Sequence, residues 1–189
     1  MVKKKMSMAE LKKELKQMSQ DQMIDLVTRL YKSSKEACDL INGEFAGDAY
    51  LEQMLEESKA KVRKEFFPTR GMGRLSLSAA KSAISAFKKV CGNPKYVLDL
   101  QLYYVECGVE FTNTYGDITE AFYDSMDSMY STVVRTLNKL DDIHLFELFK
   151  DRLIAVIDET GGCGWGFNEG LCFSYGSLKW VEEDDEYLL

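Results

Sequence analysis

Cys91-Gly92-Asn93-Pro94-Lys95-Tyr96-Val97-Leu98-Asp99-Leu100-Gln101-Leu102 decides between helix and sheet for this chain. Taken alone, Leu98-Asp99-Leu100-Gln101-Leu102 alternates with the two-residue period of a half-buried strand. The residues before it point the other way. Gly92 suits the left-handed position after a helix, the Asn93 side chain suits an N-cap, and Pro94 suits the first helical turn, where its missing amide hydrogen costs nothing. This stop and restart predicts a helix over residues 94–112. Leu98, Leu102, Val105 and Val109 then share one side of it, and Val97, Leu100, Tyr104, Cys107 and Phe111 another.

The rest of the chain is punctuated in the same way. Ser7 followed by Glu10, and Ser19 followed by Gln22, are capping boxes, in which hydroxyl and N3 side chain satisfy each other's backbone amides. The second box opens a helix whose apolar face is Met23, Leu26, Val27, Leu30, Tyr31, Cys38 and Ile41, with Asn42-Gly43 as its predicted stop. A third helix is expected over residues 48–66, before Pro68 and Gly71-Met72-Gly73 break the chain. A fourth, opened by Ser76 or Ser78, aligns Leu77, Ala80, Ile84, Phe87 and Cys91. Helices over residues 117–140 and 142–159 follow the 94–112 helix. Gly161-Gly162-Cys163-Gly164-Trp165-Gly166-Phe167 ends the pattern, and Asn168 is placed to cap a last short helix with Leu171, Cys172, Tyr175 and Leu178 inward. The expectation is an all-α fold of antiparallel helix pairs, forming a compact bundle or a short α-α superhelix. It comprises a single helical domain over residues 1–189, a Gly/aromatic segment (161–181) packing on it, and an acidic tail (182–189).

The 189 residues are 46% hydrophobic and 29% charged, a globular composition that excludes a disordered chain. No apolar run approaches the roughly 18–20 residues that span a bilayer. The basic start, Met1-Val2-Lys3-Lys4-Lys5-Met6, lacks the apolar core of a signal peptide, so a cytoplasmic location without membrane association is expected. The five cysteines form no C-x-x-C pair and are expected as small buried hydrophobes. His144 is the only histidine, which leaves little for a thiolate-imidazole zinc site or a His-activated nucleophile. No cofactor, metal or catalytic residue is expected.

Two charged constellations remain as candidate sites. At 3.6 residues per turn, Asp99, Tyr103, Glu106 and Glu110 fall within about 60° of one another, between the two apolar sides of the 94–112 helix. Carboxylates so placed are partly desolvated and need a cation, a proton or a metal. Glu120, Asp124 and Asp127 also align, but opposite the apolar face of their own helix, and so are expected in water. The second candidate is basic: Arg63, Lys64, Arg70 and Arg74 lie in the 59–74 segment, whose glycines feed a serine-capped helix and could hold an anion. It is no P-loop, lacking G-K-[ST] and a preceding strand. The pI near 4.9 disfavours nonspecific nucleic-acid binding. Residues 1–95 carry 19 Lys/Arg against 12 Asp/Glu, and residues 96–189 carry 5 against 19, balances of +7 and −14. Two halves that attract each other within one fold are preferred over a basic external face.

Several segments together resemble an uncharacterised bacterial family of small all-helical proteins, a domain of unknown function. They are Glu10-Leu11-Lys12-Lys13-Glu14-Leu15, Lys61-Val62-Arg63-Lys64-Glu65-Phe66-Phe67-Pro68, Leu102-Tyr103-Tyr104-Val105-Glu106-Cys107-Gly108, Phe111-Thr112-Asn113 through Tyr115-Gly116-Asp117, and Gly164-Trp165-Gly166-Phe167. The resemblance spans nearly the whole chain and implies no activity. After Phe167 such a family implies His or Gly and then Asp, where Asn168-Glu169-Gly170 stands here, so no essential histidine is expected at this end. The preferred expectation is a non-enzymatic helical interaction or scaffold protein, with a protein partner or homo-oligomer. The alternatives are a carboxylate metal-dependent hydrolase-like enzyme, and a phosphate- or nucleic-acid-binding module on the basic 59–74 segment.

Overall fold

The computed structural model describes residues 5–69 and 75–182. Among them are nine helices and no strand: α1 (Met8–Leu15), α2 (Gln20–Ser33), α3 (Lys35–Phe45), α4 (Asp48–Phe66), α5 (Leu77–Val90), α6 (Pro94–Tyr115), α7 (Glu120–Leu140), α8 (Ile143–Asp158) and α9 (Phe167–Gly176). The fold is all-α, a compact packing of helix pairs. Arg70 and Arg74, and residues 183–189 of the acidic tail, lie outside the described residues.

The capping signals act as the sequence implies. Ser7 and Ser19 form full capping boxes, and Asn93 accepts from the Lys95 amide with Pro94 in the first turn of α6. The apparent strand 98–102 is the buried part of α6, alternating because this helix is covered on several sides.

Three boundaries differ from the sequence reading. Gly92 is not left-handed: α5 ends on an extended Cys91, and Asn93 with Pro94 sets the restart. Ser34, extended at φ −146°, splits the expected second helix into α2 and α3 by capping the Ala37 amide, since a serine hydroxyl competes with the helix for backbone amides. α3 then runs through Asn42-Gly43, because Gly43 packs there with no room for a side chain: a Cβ would lie 3.0 Å from the Val90 carbonyl oxygen. The stop falls instead at Gly47, at φ +79°.

α6 is the centre. Twelve of its 22 residues are buried, and α4, α7 and α8 pack around it. The pairings Lys59–Asp99, Arg63–Glu110 and Phe67–Tyr115 advance together along both chains, so α4 and α6 run the same way. α7 runs against α6, as Tyr104–Ser125 and Thr112–Tyr123 show. α9 lies beside α7 through Ser131–Ser174 and Asn138–Ser177, with Phe167, Leu171, Cys172, Tyr175 and Leu178 buried. Its cap differs from expectation: left-handed Gly166 starts it, while the Asn168 amide donates to the Ile157 carbonyl and the Thr160 hydroxyl, fastening α9 to the end of α8.

The α6–α7 crossing is close at Gly108, where an added Cβ would collide with Sδ and Cγ of the fully buried Met126. Gly108→Ala gains up to about 1 kcal/mol of helix propensity and meets an overpacking cost of about 1–3 kcal/mol. Thermal unfolding is expected to show a net loss of stability; a gain would mean that Met126 has room to move.

Candidate functional site

The side chains of α6 that the wheel aligns lie between α4 and α8, and each acid meets a cation from one of those helices. Arg152 of α8 is the hub. Its Nε and Nη2 donate to the two oxygens of Glu106 at 2.7 and 2.9 Å, and its Nη1 donates to Asp99 Oδ1 at 2.8 Å. Lys59 of α4 reaches Asp99 from the other side at 3.2 Å and also Glu56, with its Nζ 5.5 Å from the centre of the Tyr103 ring. One helical turn on, Arg63 holds Glu110 through two parallel bonds of 2.7 and 2.8 Å and stacks over Phe67.

Burial is graded along this seam. The Asp99 and Glu106 side chains are 21% and 30% exposed, and Glu110 is 48% exposed. Hydrogen bonding from Arg63 holds the Glu110 carboxyl below its ordinary range, and the same bond raises the Arg63 pKa. Burial opposes the charge on Arg152, but the bonds and field of Glu106 and Asp99 outweigh it and raise its pKa. Burial pushes the Cys107 thiol, under the same seam, up to about 11, so it stays protonated and a poor nucleophile.

Of the sequence candidates, the structure therefore brings Asp99, Tyr103, Glu106, Glu110 and Arg63 together. Lys64 is exposed on α4 and apart from them. Lys59 opens the basic 59–74 segment, whereas Arg152 lies outside both sequence constellations. A signal for Arg152 did exist: it is one of only five basic residues in the second half, flanked by Phe149, Leu153 and Val156, so it lies on an inward face. Glu106, Glu110, Arg152 and Glu159 edge a shallow cleft of about 360 Å³. No cluster of three or more His, Cys, Asp or Glu suited to a metal ion occurs among the described residues. His144 is exposed at the start of α8. All five cysteines are free.

The second acidic line divides. Glu120 and Asp124 face water as expected, but Asp127 turns under α9, its Oδ1 buried without a hydrogen-bond partner. The nearby Gly170 makes the space: a Cβ there would sit 2.8 Å from that oxygen. Burial, then the neighbouring Asp124, raises the Asp127 pKa. The wheel placed Asp127 in water because α9, its cover, is not visible from α7 alone.

A model of a family of unknown function, DUF6155, matches residues 6–171. No curated protein and no solved structure matches the chain. No described helix is long and apolar enough to cross a membrane.

Two expectations follow for the seam. Arg152→Ala leaves two partly buried carboxylates without their main partner and should cost about 2–3 kcal/mol in urea unfolding, between the surface and fully buried limits. Arg63→Ala removes a half-exposed pair and should cost about 0–1 kcal/mol. Because the Glu110 pKa is depressed, that smaller difference is present above the unfolded pKa of about 4.3 and fades as pH falls through the folded value. Asp127 has the opposite sign. Its raised pKa favours the fold at low pH and penalises it as pH rises, so Asp127→Asn should melt above wild type at pH 7, with the gap closing towards pH 4.

Proposed function

The chain belongs to this family of unknown function, and we propose that it acts as an interaction protein, docking an apolar helical surface of another polypeptide on α1–α3. One observation carries the reading: α1, α2 and α3 contain no buried residue, although all three are amphipathic. Ile24 is 56% exposed, Val27 40%, Leu40 51% and Phe45 82%. In the remainder of the fold most such side chains join a continuous core, although Leu148, Trp165 and Phe173 are exposed. On α2, Ile24, Val27 and Tyr31 recur at three- and four-residue spacing, a ridge whose complementary shape is the groove of another helix.

The α6 acids support the same reading from the other side. Asp99, Glu106 and Glu110, the residues a carboxylate metal-dependent hydrolase would use, already hold Arg152, Lys59 and Arg63. An incoming divalent ion would have to displace those cations. Arg63, the first residue of the anion-binding alternative, is likewise committed to Glu110.

The test replaces Ile24 and Val27 by glutamate together. If α1–α3 present a docking face, the native wild type should bind the apolar dye bis-ANS, and the variant should lose that binding while melting within about 2 °C of wild type. A large drop in melting temperature would instead place these residues in the core and end the reading. A parallel titration with Mg²⁺ or Mn²⁺ should leave the melting temperature unmoved. Stabilisation of about 2.7 kcal/mol at 100 times the dissociation constant, abolished by Glu106→Gln, would favour the enzyme instead.

A further inference from the structure

The exposed strip of α2 has a charge arrangement that selects its occupant. At 100° per residue, the half-buried Met23 and Leu26 point towards α3, while Ile24, Val27 and Tyr31 form a neighbouring strip open to solvent. Asp21 in the first turn and Lys32 in the last turn lie within about 20° of each other on one flank of that strip. A helix carrying an acid at one end and a base at the other, beside an apolar strip centred near Val27, is complementary to itself when reversed.

We infer that the surface docked on α1–α3 is a second copy of this chain, with the two α2 helices crossing antiparallel near Val27. Ile24 and Tyr31 of one copy then face Tyr31 and Ile24 of the other, and Val27 meets Val27. Each Asp21 comes beside the Lys32 of the other copy, twice, by the two-fold symmetry of an isologous contact. A parallel pairing would set Asp21 on Asp21 and Lys32 on Lys32, which like-charge repulsion disfavours. The helix dipoles also oppose one another in the antiparallel arrangement.

Area sets the strength. α2 and α3 have 14 and 11 residues. At 1.5 Å per residue they are about 21 and 17 Å long, and side by side they offer roughly 400 Å² per copy. A standard stable interface takes about 800 Å² per partner, so the dimer is of the weak, concentration-dependent class.

This inference rests on the interaction reading, and the experiment separates the two. Sedimentation equilibrium of the full chain from about 1 to 500 µM should show a monomer–dimer equilibrium. Asp21→Lys alone and Lys32→Asp alone should each weaken it at least about tenfold, because like charges then meet at both ends. An equimolar mixture of those two variants should recover the wild-type constant, since opposite charges meet again at both ends. Ile24→Glu with Val27→Glu should abolish association, with circular dichroism showing the helices intact. Failure of the mixture to recover would overturn the antiparallel pairing. A wild type that stays monomeric to 500 µM but binds bis-ANS through Ile24 and Val27 overturns self-association and leaves a helical partner of another sequence. A monomer that binds no dye overturns both.

Discussion

The fold turns on the cost of placing three carboxylates on a helix that is covered by its neighbours. α6 buries most of its residues, yet its line of Asp99, Glu106 and Glu110 runs through the packed region. At the partly buried Asp99 and Glu106, an ionised group without a partner costs a few kcal/mol, a large share of the roughly 5–15 kcal/mol that separates folded from unfolded domains. The neighbours must therefore bring cations in register. Lys59 and Arg63, one turn apart on α4, and Arg152 on α8 meet that demand. The bidentate geometry at Glu106 and Glu110 fixes rotation as well as distance, because a guanidinium presents its donors in one plane. An acid stripe that resembles a reactive site in sequence is thereby a device for aligning three helices.

Much of this was legible in the residues. The serine caps, Asn93-Pro94 and the apolar spacing on α4 and α5 are local signals that specify backbone within a turn or two, and tertiary packing agrees with them. The charge imbalance between the two halves also reads through: Arg63 and Lys59 from the basic half hold acids of the other. What was not legible depends on which face meets which neighbour. Ser34 and Gly43 are each compatible with two backbones, and only the packing of α3 against Leu51 and Val90 selects one. Arg152 belongs to the acidic half, so a balance summed over long segments hides it. Asp127 Oδ1 is buried by α9, some forty residues later, beside a glycine whose purpose appears only when the two helices touch.

The molecule divides its labour by position along the chain. From α4 onward, aromatic contacts such as Phe66–Tyr104 and Phe111–Phe122 join hydroxyl pairs such as Tyr104–Ser125 in the interior, and buried polar groups there largely find partners. Before α4 the interactions are of shorter range: caps, the Arg29–Asp25 pair within α2, and Tyr31 donating to Asn42 across the α2–α3 hairpin. The same apolar residue types occur in both regions, but they build a buried core from α4 onward, whereas α1–α3 bury none fully.

That division has an energetic corollary for how the native state breathes. A segment with few buried contacts opens at low free energy without disturbing the remainder, whereas a helix enclosed by its neighbours opens only with the whole. α1–α3, which bury no residue fully, are therefore expected to exchange their amides through local opening, and α6 through the global equilibrium. Selection could reshape the first unit, altering what it recognises, at almost no expense to the stability stored in the second.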